Sequence, residues 1–273
     1  MNDASTPVSA PIVIEILDQI RSQRPLIHCM TNIVVAGFTA NALLAVGASP
    51  AMVENAEESA EFAQIADGLL VNLGTLTPAR VEAMRAAVAA ANQAQVPWVF
   101  DPVAVGALTF RTKLAAELIA QRPAVVRANP SEVLSLAGAT GSTSRGVDST
   151  AGSGSAVAAA QVLAQRAGSV VAVSGAVDYI TDGDTIVQVH TGHELMTRVT
   201  GVGCALGALV AACCAVTESS LMAASAGTAI LTVAAQVAAS QTDGPGSFAV
   251  ALLDELYALK PSTLEAHLMA GAR

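Results

Sequence analysis

The chain has 273 residues, of which 53% are hydrophobic, 13% are charged and only 3% are aromatic. A chain of this length and composition buries a large apolar core, which excludes an intrinsically disordered protein. Its net charge is −9, from 13 Lys and Arg against 22 Asp and Glu, and the sequence contains no basic run. Because nucleic-acid binding depends on clustered basic side chains, we predict no nucleic-acid partner.

The cysteines and the N-terminus indicate the cellular compartment. Cys29, Cys204, Cys213 and Cys214 form no C-x-x-C pair and are too few for a disulfide framework in a chain of this length. Residues 1–10 lack the charged and apolar regions of a signal peptide and are predicted to be frayed. We therefore predict a cytoplasmic protein with reduced thiols.

Two uncharged stretches are long enough to span a membrane, Val199–Thr217 and Ser219–Thr242. Both consist mainly of Ala, Gly, Ser, Thr and Cys, which dilute the strongly apolar residues that drive insertion. Neither has an aromatic belt at its ends. We predict two buried helices and no association with a membrane.

Short apolar runs alternate with longer segments of helical periodicity along most of the chain. The apolar runs predict strands at Leu26–Met30, Ala51–Val53, Gly68–Leu73, Val96–Phe100, Ala124–Arg127 and Val170–Ser174. The periodic segments predict helices at Ile12–Gln23, Val34–Val46, Pro78–Ala94, Arg111–Gln121, Ser131–Ala137 and Ser155–Arg166. This alternation is typical of βαβ units, so we predict a mostly parallel central sheet with helices on both faces.

One segment departs from the alternation. Tyr179–His190 has Asp-Gly between two alternating runs, which predicts an antiparallel hairpin. The chain after it is predicted to be helical, with breaks near Glu218 and at Asp243–Gly246. Gly141–Ser155 is rich in Gly and Ser and is predicted to be a loop, too short for a domain linker. With no repeat period and no boundary, we predict a single α/β domain over residues 1–273.

The stretch Thr200–Ala208, TGVGCALGA, predicts a glycine-rich turn at the start of a long helix. Unpaired backbone N–H groups and the positive end of the helix dipole can hold an anion at such a turn. Cys204 is expected in the first turn, where that field lowers the pKa of a thiol. The alternative interpretation is that the glycines allow close helix packing and that Cys204 is a small core residue.

Charged residues follow two predicted strands. Asp101 and Arg127 lie at the ends of apolar runs, where open parallel sheets bind ligands. Together with Glu132, they could hold a metal ion and a polyphosphate. Alternatively, Asp101 belongs to an ordinary Asp-Pro turn, and Asn129 forms a capping box with Glu132 that needs no function.

Other candidates carry less information. His190 and His193 have an H-x-x-H spacing without a third ligand, which favours a surface pair over a metal site. His28, inside a predicted strand, is interpreted as a core histidine. Met52 is interpreted as core filler.

Taken together, these segments resemble the hydroxyethylthiazole kinase family of the ribokinase-like superfamily. The stretches that carry the resemblance are HCMTNIVVAGFTANALLAVGASPAMVENAEE (His28–Glu58), LLVNLGTL (Leu69–Leu76), FDPVAVGA (Phe100–Ala107), RANPSEV (Arg127–Val133), RGVDS (Arg145–Ser149), VSGAVDYITDG (Val173–Gly183) and TGVGCALGA (Thr200–Ala208). They follow the order of the family over most of the chain. The resemblance implies a single-domain, ribokinase-like three-layer fold.

The resemblance also implies an activity. The family transfers the γ-phosphoryl group of ATP to the primary hydroxyl of 4-methyl-5-(2-hydroxyethyl)thiazole, with Mg²⁺, in thiamine biosynthesis. It forms homotrimers with active sites between subunits. Two alternatives remain: a kinase for the hydroxymethylpyrimidine of the same pathway, and a nucleotide-binding regulatory protein without turnover. The HCMTN and GASPAM segments favour the thiazole.

The resemblance assigns roles to individual residues. It implies metal ligation by Asp101 and Glu132, ATP contacts from Arg127 and Ser174, thiazole contacts from Met52, Asn32 and Gly201, an anion hole at Gly201, Val202, Gly203 and Cys204, and a catalytic Cys204 that accepts the hydroxyl proton. Two positions depart from the family pattern. Val202 stands where the family has Thr, which removes a hydroxyl near the phosphates, and Pro130 stands where the family has Ala.

Overall fold

The strands and helices alternate along the chain, as the sequence predicts. The computed structural model describes residues 5–138 and 156–271. Its strands are β1 (Thr6–Pro7), β2 (Leu26–Met30), β3 (Ser49–Ala51), β4 (Gly68–Asn72), β5 (Trp98–Asp101), β6 (Val125–Ala128), β7 (Val170–Val173), β8 (Asp178–Thr181) and β9 (Ile186–Val189). Its helices are α1 (Ala10–Gln23), α2 (Ala36–Val46), α3 (Ala56–Ile65), α4 (Pro78–Ala94), α5 (Thr109–Ile119), α6 (Pro130–Ala137), α7 (Val157–Ala167), α8 (Val202–Cys214), α9 (Ser220–Ser240), α10 (Pro245–Ala258) and α11 (Pro261–Gly271). A 3₁₀ turn covers Glu194–Arg198.

The described strands form one sheet in the order β1-β9-β8-β7-β6-β5-β4-β2-β3. Neighbouring strands in this part of the chain are parallel except at β8, which runs antiparallel to β7 and β9. The turn between β8 and β9 contains Asp182, whose Oδ1 accepts the N–H groups of Asp184 and Thr185, and Gly183, whose φ is 106°. The predicted mostly parallel sheet and the predicted hairpin are both confirmed.

Apolar side chains cover both faces of the sheet. One core cluster contains α1, α2 and α8 to α11, and the other contains α3 to α7. Successive residues of a strand alternate between the two clusters, as in β4, where Leu70 faces the first and Leu69 and Val71 face the second. The predicted layers of helices on both faces are therefore confirmed.

The two uncharged stretches form α8 and α9, which pack against each other. A Cβ at Gly227 would lie 2.9 Å from Cγ2 of Val210, so the glycine allows this close approach. By length and composition α9 could cross a membrane, but 78% of its apolar window is buried inside the protein. The prediction of two buried helices is confirmed.

Three segments differ from the sequence prediction. Thr6–Pro7 pairs in parallel with β9, and the backbone edge of β9 thus orders residues 5–10, which the sequence predicts to be frayed. Helix α3 is absent from the prediction, although Asn55 provides an N-cap for it by accepting the N–H of Glu57 at 3.1 Å. Strand β3 ends at Ala51, where the predicted strand begins. The predicted loop Gly141–Ser155, with the RGVDS stretch, lies outside the described residues.

Candidate active site

Polar side chains follow several strands at one edge of the sheet. β4 and β5 end in Asn72 and Asp101, which pair in register. Arg127 lies in β6, Asn32 follows β2, and Ser174 follows β7. Because the carboxyl ends of parallel strands meet at the same edge, these side chains converge on one region.

Helix α8 begins at this same edge. Its N-cap, Gly201, has a φ of 101°, and a Cβ there would lie 2.8 Å from Cγ1 of Val35. At Gly203, a Cβ would lie 3.1 Å from Nη2 of Arg127. The glycines therefore permit close packing, as one interpretation predicts, and they bring a guanidinium to unpaired N–H groups. Such an arrangement suits an anion.

Cys204 lies in the first turn of α8, where its sulfur accepts two hydrogen bonds. Nδ2 of Asn32 and Nδ2 of Asn72 each donate to Sγ at 3.3 Å. Burial raises the pKa of the Cys204 thiol to about 11, and the charge of Asp101 adds to the rise, while Arg127 and the two amides oppose it. The expected lowering of this pKa by the helix terminus is wrong, because burial and a nearby carboxylate outweigh the favourable contacts.

Asp101 is fully buried at the centre of the group. Its Oδ2 accepts a hydrogen bond from Nδ2 of Asn72 at 2.7 Å and lies 3.8 Å from Nη1 of Arg127. Its Oδ1 has no hydrogen-bond partner among the described residues. Burial raises the pKa of Asp101 to about 7, and Glu132 adds to the rise, against Arg127 and Asn72. The predicted turn is present, since Val103 N–H donates to Asp101 O at 2.9 Å, but the unpartnered oxygen favours a cationic ligand as well.

Both carboxylate oxygens of Glu132 accept backbone hydrogen bonds. Oε2 accepts the N–H of Asn129 at 2.9 Å, and Asn129 Oδ1 accepts the N–H of Glu132 at 2.9 Å, so the predicted capping box is confirmed. Oε1 accepts the N–H of Ala104 at 2.8 Å, in the turn after β5 where Ala104 has a φ of 61°. Burial raises the pKa of Glu132. Glu132 therefore ties α6 to the turn that follows Asp101.

The donor set of Asp101 and Glu132 suits a hard cation such as Mg²⁺. This ion takes oxygen ligands, keeps several waters and typically binds one or two carboxylates together with phosphate oxygens. Oδ1 of Asp101 is an unused ligand of that kind, and the oxygens of Glu132 keep free lone pairs beside their backbone bonds. Residues 5–138 and 156–271 contain no cluster of three or more His, Cys, Asp or Glu side chains that could hold a metal. Two acids completed by a ligand's oxygens are the arrangement that fits.

A cleft of about 940 Å³ opens beside these acids, between the ends of β6 and β7, the β8–β9 hairpin and the start of α8. Arg127 and Ser174 line it, and Nε of Arg127 donates to Oγ of Ser174 at 3.1 Å. Val202 and Gly203 line the α8 side. The structure thus brings together residues that the resemblance assigns to ATP and to an anion hole.

Asp178 also lines this cleft, from the start of β8. It lies within the stretch VSGAVDYITDG, but neither spacing nor the resemblance assigns it a role. Its Oδ1 accepts the N–H of Gly175 at 2.9 Å and so shapes the turn after β7. Burial raises the pKa of Asp178 to about 7, and the nearby Arg127 opposes the rise. Only the antiparallel pairing of β8 places this acid beside Arg127.

The two histidines of the H-x-x-H motif lie at the same cleft. Nδ1 of His193 accepts the N–H of Leu195 at 3.2 Å and caps the 3₁₀ turn. Nε2 of His190 lies 2.9 Å from Oε1 of Gln188. Each ring therefore has a local partner.

Met52 lies apart from Asp101 and Cys204. It follows β3, the edge strand, with β2 between β3 and β4, and it packs half-buried against the core. His28 is fully buried, with Nε2 2.7 Å from the carbonyl oxygen of Val53 and its ring edge-on to Phe62 at 5.1 Å. The prediction of a core histidine is confirmed, and His28 also holds the segment after β3.

Asn72 is the central residue to which the sequence assigns no role, although the stretch LLVNLGTL contains it. It contacts Asn32, Asp101 and Cys204, and we call these four residues the polar cluster. The signal for it is that a polar side chain closes the apolar run GLLVN, as Asp101 closes WVFD. Its partners come from other strands and α8, so local sequence does not reveal them.

Comparisons with known proteins agree with this geometry. The sequence model of the hydroxyethylthiazole kinase family matches residues 17–262. A hydroxyethylthiazole kinase of Cronobacter sakazakii is 53% identical over 250 residues, which cover 92% of each chain. The structure of a hydroxyethylthiazole kinase from Pyrococcus horikoshii matches with a TM-score of 0.87 and 39% identity, over 93% of this chain and 96% of that one. A ribokinase-like superfamily protein from Enterococcus faecalis is only 15% identical, with a TM-score of 0.65 over 92% of this chain and 95% of that one, and it confirms the ribokinase-like fold.

Proposed function

The chain belongs to the hydroxyethylthiazole kinase family, and from that membership we propose how its residues carry out the reaction. The activity is phosphorylation of the hydroxyl of hydroxyethylthiazole, with ATP as the donor, for thiamine synthesis. We propose that residues 1–273 form one kinase domain, which acts in the cytoplasm. Its four cysteines are free thiols, which supports that location.

ATP binds in the cleft, with its phosphates towards the start of α8. The volume of about 940 Å³ is within the range of small-molecule sites. Arg127 and Ser174 contact the phosphates, and the backbone N–H groups of Gly201, Val202, Gly203 and Cys204 form the anion hole. The close approach of Arg127 to Gly203 supports this assignment. Val202 removes one hydroxyl but keeps its backbone N–H, so the anion hole survives the departure from the family pattern.

Asp101 and Glu132 hold Mg²⁺ together with phosphate oxygens. The ion supplies charge neutralisation on the transferring phosphoryl group. The unpartnered, fully buried Oδ1 of Asp101 is the observation that carries this proposal. Pro130 is compatible with it, because the first helical position needs no N–H donor and the capping box of Glu132 is intact.

Positioning supplies most of the rate. Asn32 and Gly201 of one subunit and Met52 of a neighbouring subunit contact the thiazole and direct its hydroxyl towards Cys204, which accepts the proton. Because the pKa of Cys204 is about 11, only a small fraction of the thiol is ionised at neutral pH. The main contribution therefore comes from holding hydroxyl and phosphoryl group in line, in a site that neutralises charge.

The active protein is a homotrimer with active sites between subunits. Ile33 and Val34, next to Asn32, are 76% and 67% exposed, and an exposed apolar pair beside a substrate contact is typical of a surface that a partner covers. Light scattering is expected to show a trimer, and an active monomer at assay concentration contradicts it. Met52→Glu is expected to weaken thiazole binding with little change in ATP affinity, and normal thiazole affinity in a folded variant removes Met52 from the site.

The activity is tested by product mass after incubation with ATP, Mg²⁺ and a single alcohol. We expect hydroxyethylthiazole phosphate and ADP, and product formation slower by a factor on the order of 10³ from Asp101→Asn at equal protein concentration. Phosphorylation of the hydroxymethylpyrimidine alone supports the related kinase instead. ATP binding without any phosphorylated alcohol supports the regulatory protein.

A further inference from the structure

Asn72 uses every hydrogen-bonding position of its carboxamide, although it is fully buried. Nδ2 donates to Oδ2 of Asp101 at 2.7 Å and to Sγ of Cys204 at 3.3 Å. Oδ1 accepts the backbone N–H of Gly74 at 2.9 Å and Nδ2 of Asn32 at 3.2 Å. A carboxamide has two N–H donors and one oxygen with two lone pairs. All four positions are therefore taken, each by a different residue.

The backbone determines which way this carboxamide points. The N–H of Gly74 can only donate, so it must face the oxygen of Asn72. Nδ2 of Asn72 then has to face Asp101 and Cys204. The oxygen of Asn72 thus holds the loop after β4 and the side chain of Asn32. Its nitrogen links the carboxylate of Asp101 to the thiol of Cys204.

The nitrogen side couples two groups that have few other partners. Asn72 and Arg127 both approach Oδ2 of Asp101, and Asn72 is the closer one. Its Nδ2 lies 2.7 Å from that oxygen, whereas Nη1 of Arg127 lies 3.8 Å from it. The same nitrogen holds Cys204, so a shift of either group moves the hydrogen bond to the other. Residues that share a hydrogen-bond network in this way show non-additive effects when they are substituted.

The oxygen side couples the same residue to the thiazole contact. Asn32 approaches Gly74 so closely that a Cβ on Gly74 would overlap its side chain. Asn32 is thus wedged between Gly74 and the oxygen of Asn72, and its Nδ2 also reaches Cys204. Asn72 therefore lies at the junction of the substrate contact, the proton acceptor and the metal-binding acid.

We propose that Asn72 is a positioning residue for phosphoryl transfer. Through Nδ2 it sets the sulfur of Cys204 and the carboxylate of Asp101 in one relative geometry, and through Oδ1 it seats Asn32. The inference rests on the roles proposed above for Cys204, Asp101 and Asn32.

Two substitutions separate the two sides of the carboxamide. Asn72→Leu removes all four contacts at similar volume, and we expect a loss in kcat of about 10²-fold, the effect of a small misplacement at a reacting centre. We also expect weaker binding of hydroxyethylthiazole to the metal-free enzyme in calorimetry. Asn72→Asp keeps an oxygen for Gly74 and Asn32 but turns a second oxygen towards Asp101 and Cys204. It is expected to lose a similar kcat and to keep the thiazole Kd within about twofold.

A double-mutant cycle with Cys204→Ala distinguishes positioning from a purely structural role, because it measures whether the two substitutions affect kcat independently. If Asn72 acts through Cys204, Asn72→Leu is expected to cost less than about tenfold in kcat in the Cys204→Ala background. If the kcat loss of the double variant equals the product of the two single losses, the positioning role is overturned. Parental kcat in Cys204→Ala alone overturns the proposed role of Cys204 instead, so the two failures are distinguishable.

Asn92→Leu is the control variant, because it makes the same substitution at an asparagine whose side chain forms two hydrogen bonds away from the site. The oxygen of Asn92 accepts Nε1 of Trp98 at 3.0 Å, and its Nδ2 donates to the carbonyl of Gln121 at 3.0 Å, outside the polar cluster. We expect a lower Tm with parental kcat. If Asn72→Leu does not fold, Asn72→Asp decides alone, because a parental kcat in that variant overturns the proposal.

Discussion

The polar cluster and the cleft are neighbours at one edge of the sheet, but they use hydrogen bonds in opposite ways. In the polar cluster, side chains bind one another, and Asn72 has no free position left. In the cleft, Arg127 makes one side-chain hydrogen bond among the described residues, through Nε to Ser174. A guanidinium has five N–H donors, so most of its capacity faces the volume where a ligand binds.

This difference separates what the protein prepares from what the ligand completes. The groups proposed to touch the reacting atoms are held in place by one another, and such preorganisation lowers the cost of reaching a transition state. The groups proposed to bind ATP keep free donors and open space. Substitutions in the polar cluster are therefore expected to change kcat, and those in the cleft to change ATP affinity.

Asp101 lies at the border of the two regions, and its substitution is expected to have the largest effect. Asp101→Asn keeps an oxygen for Nδ2 of Asn72 but removes the charge that binds Mg²⁺. We expect kcat to fall on the order of 10³-fold, as for the loss of a main electrostatic contact. A steady-state kinase assay at saturating ATP checks this, and near-parental turnover contradicts the metal assignment.

The same variant changes the pH dependence of stability. Because the pKa of Asp101 is raised to about 7, its ionisation destabilises the folded protein as pH rises from about 4 towards 7. Asp101→Asn lacks this group, so its Tm is expected to fall less than the parental Tm over that window. Thermal melts of both proteins at a series of pH values measure this difference. Parallel curves of Tm against pH contradict the prediction.

Cys204 tests how much chemistry the polar cluster supplies. Cys204→Ala is expected to lower kcat by about 10²-fold, the lower end for general-base catalysis, because the thiol is mostly protonated. Cys204→Asp supplies a carboxylate of similar size, whose ordinary pKa is well below that of a thiol, and is expected to retain or raise turnover. The proposed role of Cys204 fails if folded Cys204→Ala matches the parent in turnover across pH 6 to 9, a range that lies wholly below the thiol pKa of about 11.

Arg127 tests the cleft. Arg127→Ala removes a charged phosphate contact, and such contacts contribute about 1.5–3 kcal/mol. In a site open to water we expect the lower end, a loss in ATP affinity of about tenfold, with lower turnover. Arg85→Ala is the control, because Arg85 pairs with Glu117 on the surface. Equal ATP affinity in the two variants removes Arg127 from the site.

Glu132→Gln is expected to have the smallest effect and separates capping from metal binding. Gln has one acceptor oxygen, so it loses one of the two backbone bonds to Asn129 and Ala104, and the Tm is expected to fall by about 2–4 °C. Loss of the charge is expected to raise the Mg²⁺ concentration at half-maximal rate about threefold, from one electrostatic contact. A lower Tm with an unchanged Mg²⁺ requirement assigns Glu132 to the capping box alone.

Local sequence patterns predicted the features that depend on near neighbours. The hairpin at Asp182 and Gly183, the capping box of Glu132 and the buried helices α8 and α9 all follow from residues a few positions apart. The positions of Asp101 and Arg127 were also predictable, since the end of an apolar run in a parallel sheet defines the ligand edge. The resemblance to a known family then supplied candidate roles that spacing alone leaves open.

The alternation of strands and helices, the parallel pairing of most strands and the ligand-binding edge of the sheet can be predicted from periodicity and from the residues that end the apolar runs. The chemistry at that edge depends on the tertiary fold. The fold places Asn72 among partners from the segment after β2, from β5 and from α8, brings Asp178 to Arg127, and raises the pKa of Cys204, where a helix terminus alone predicts a fall. Periodicity and capping act over a few residues, whereas burial and charge interactions sum over groups that are distant in sequence and adjacent in space.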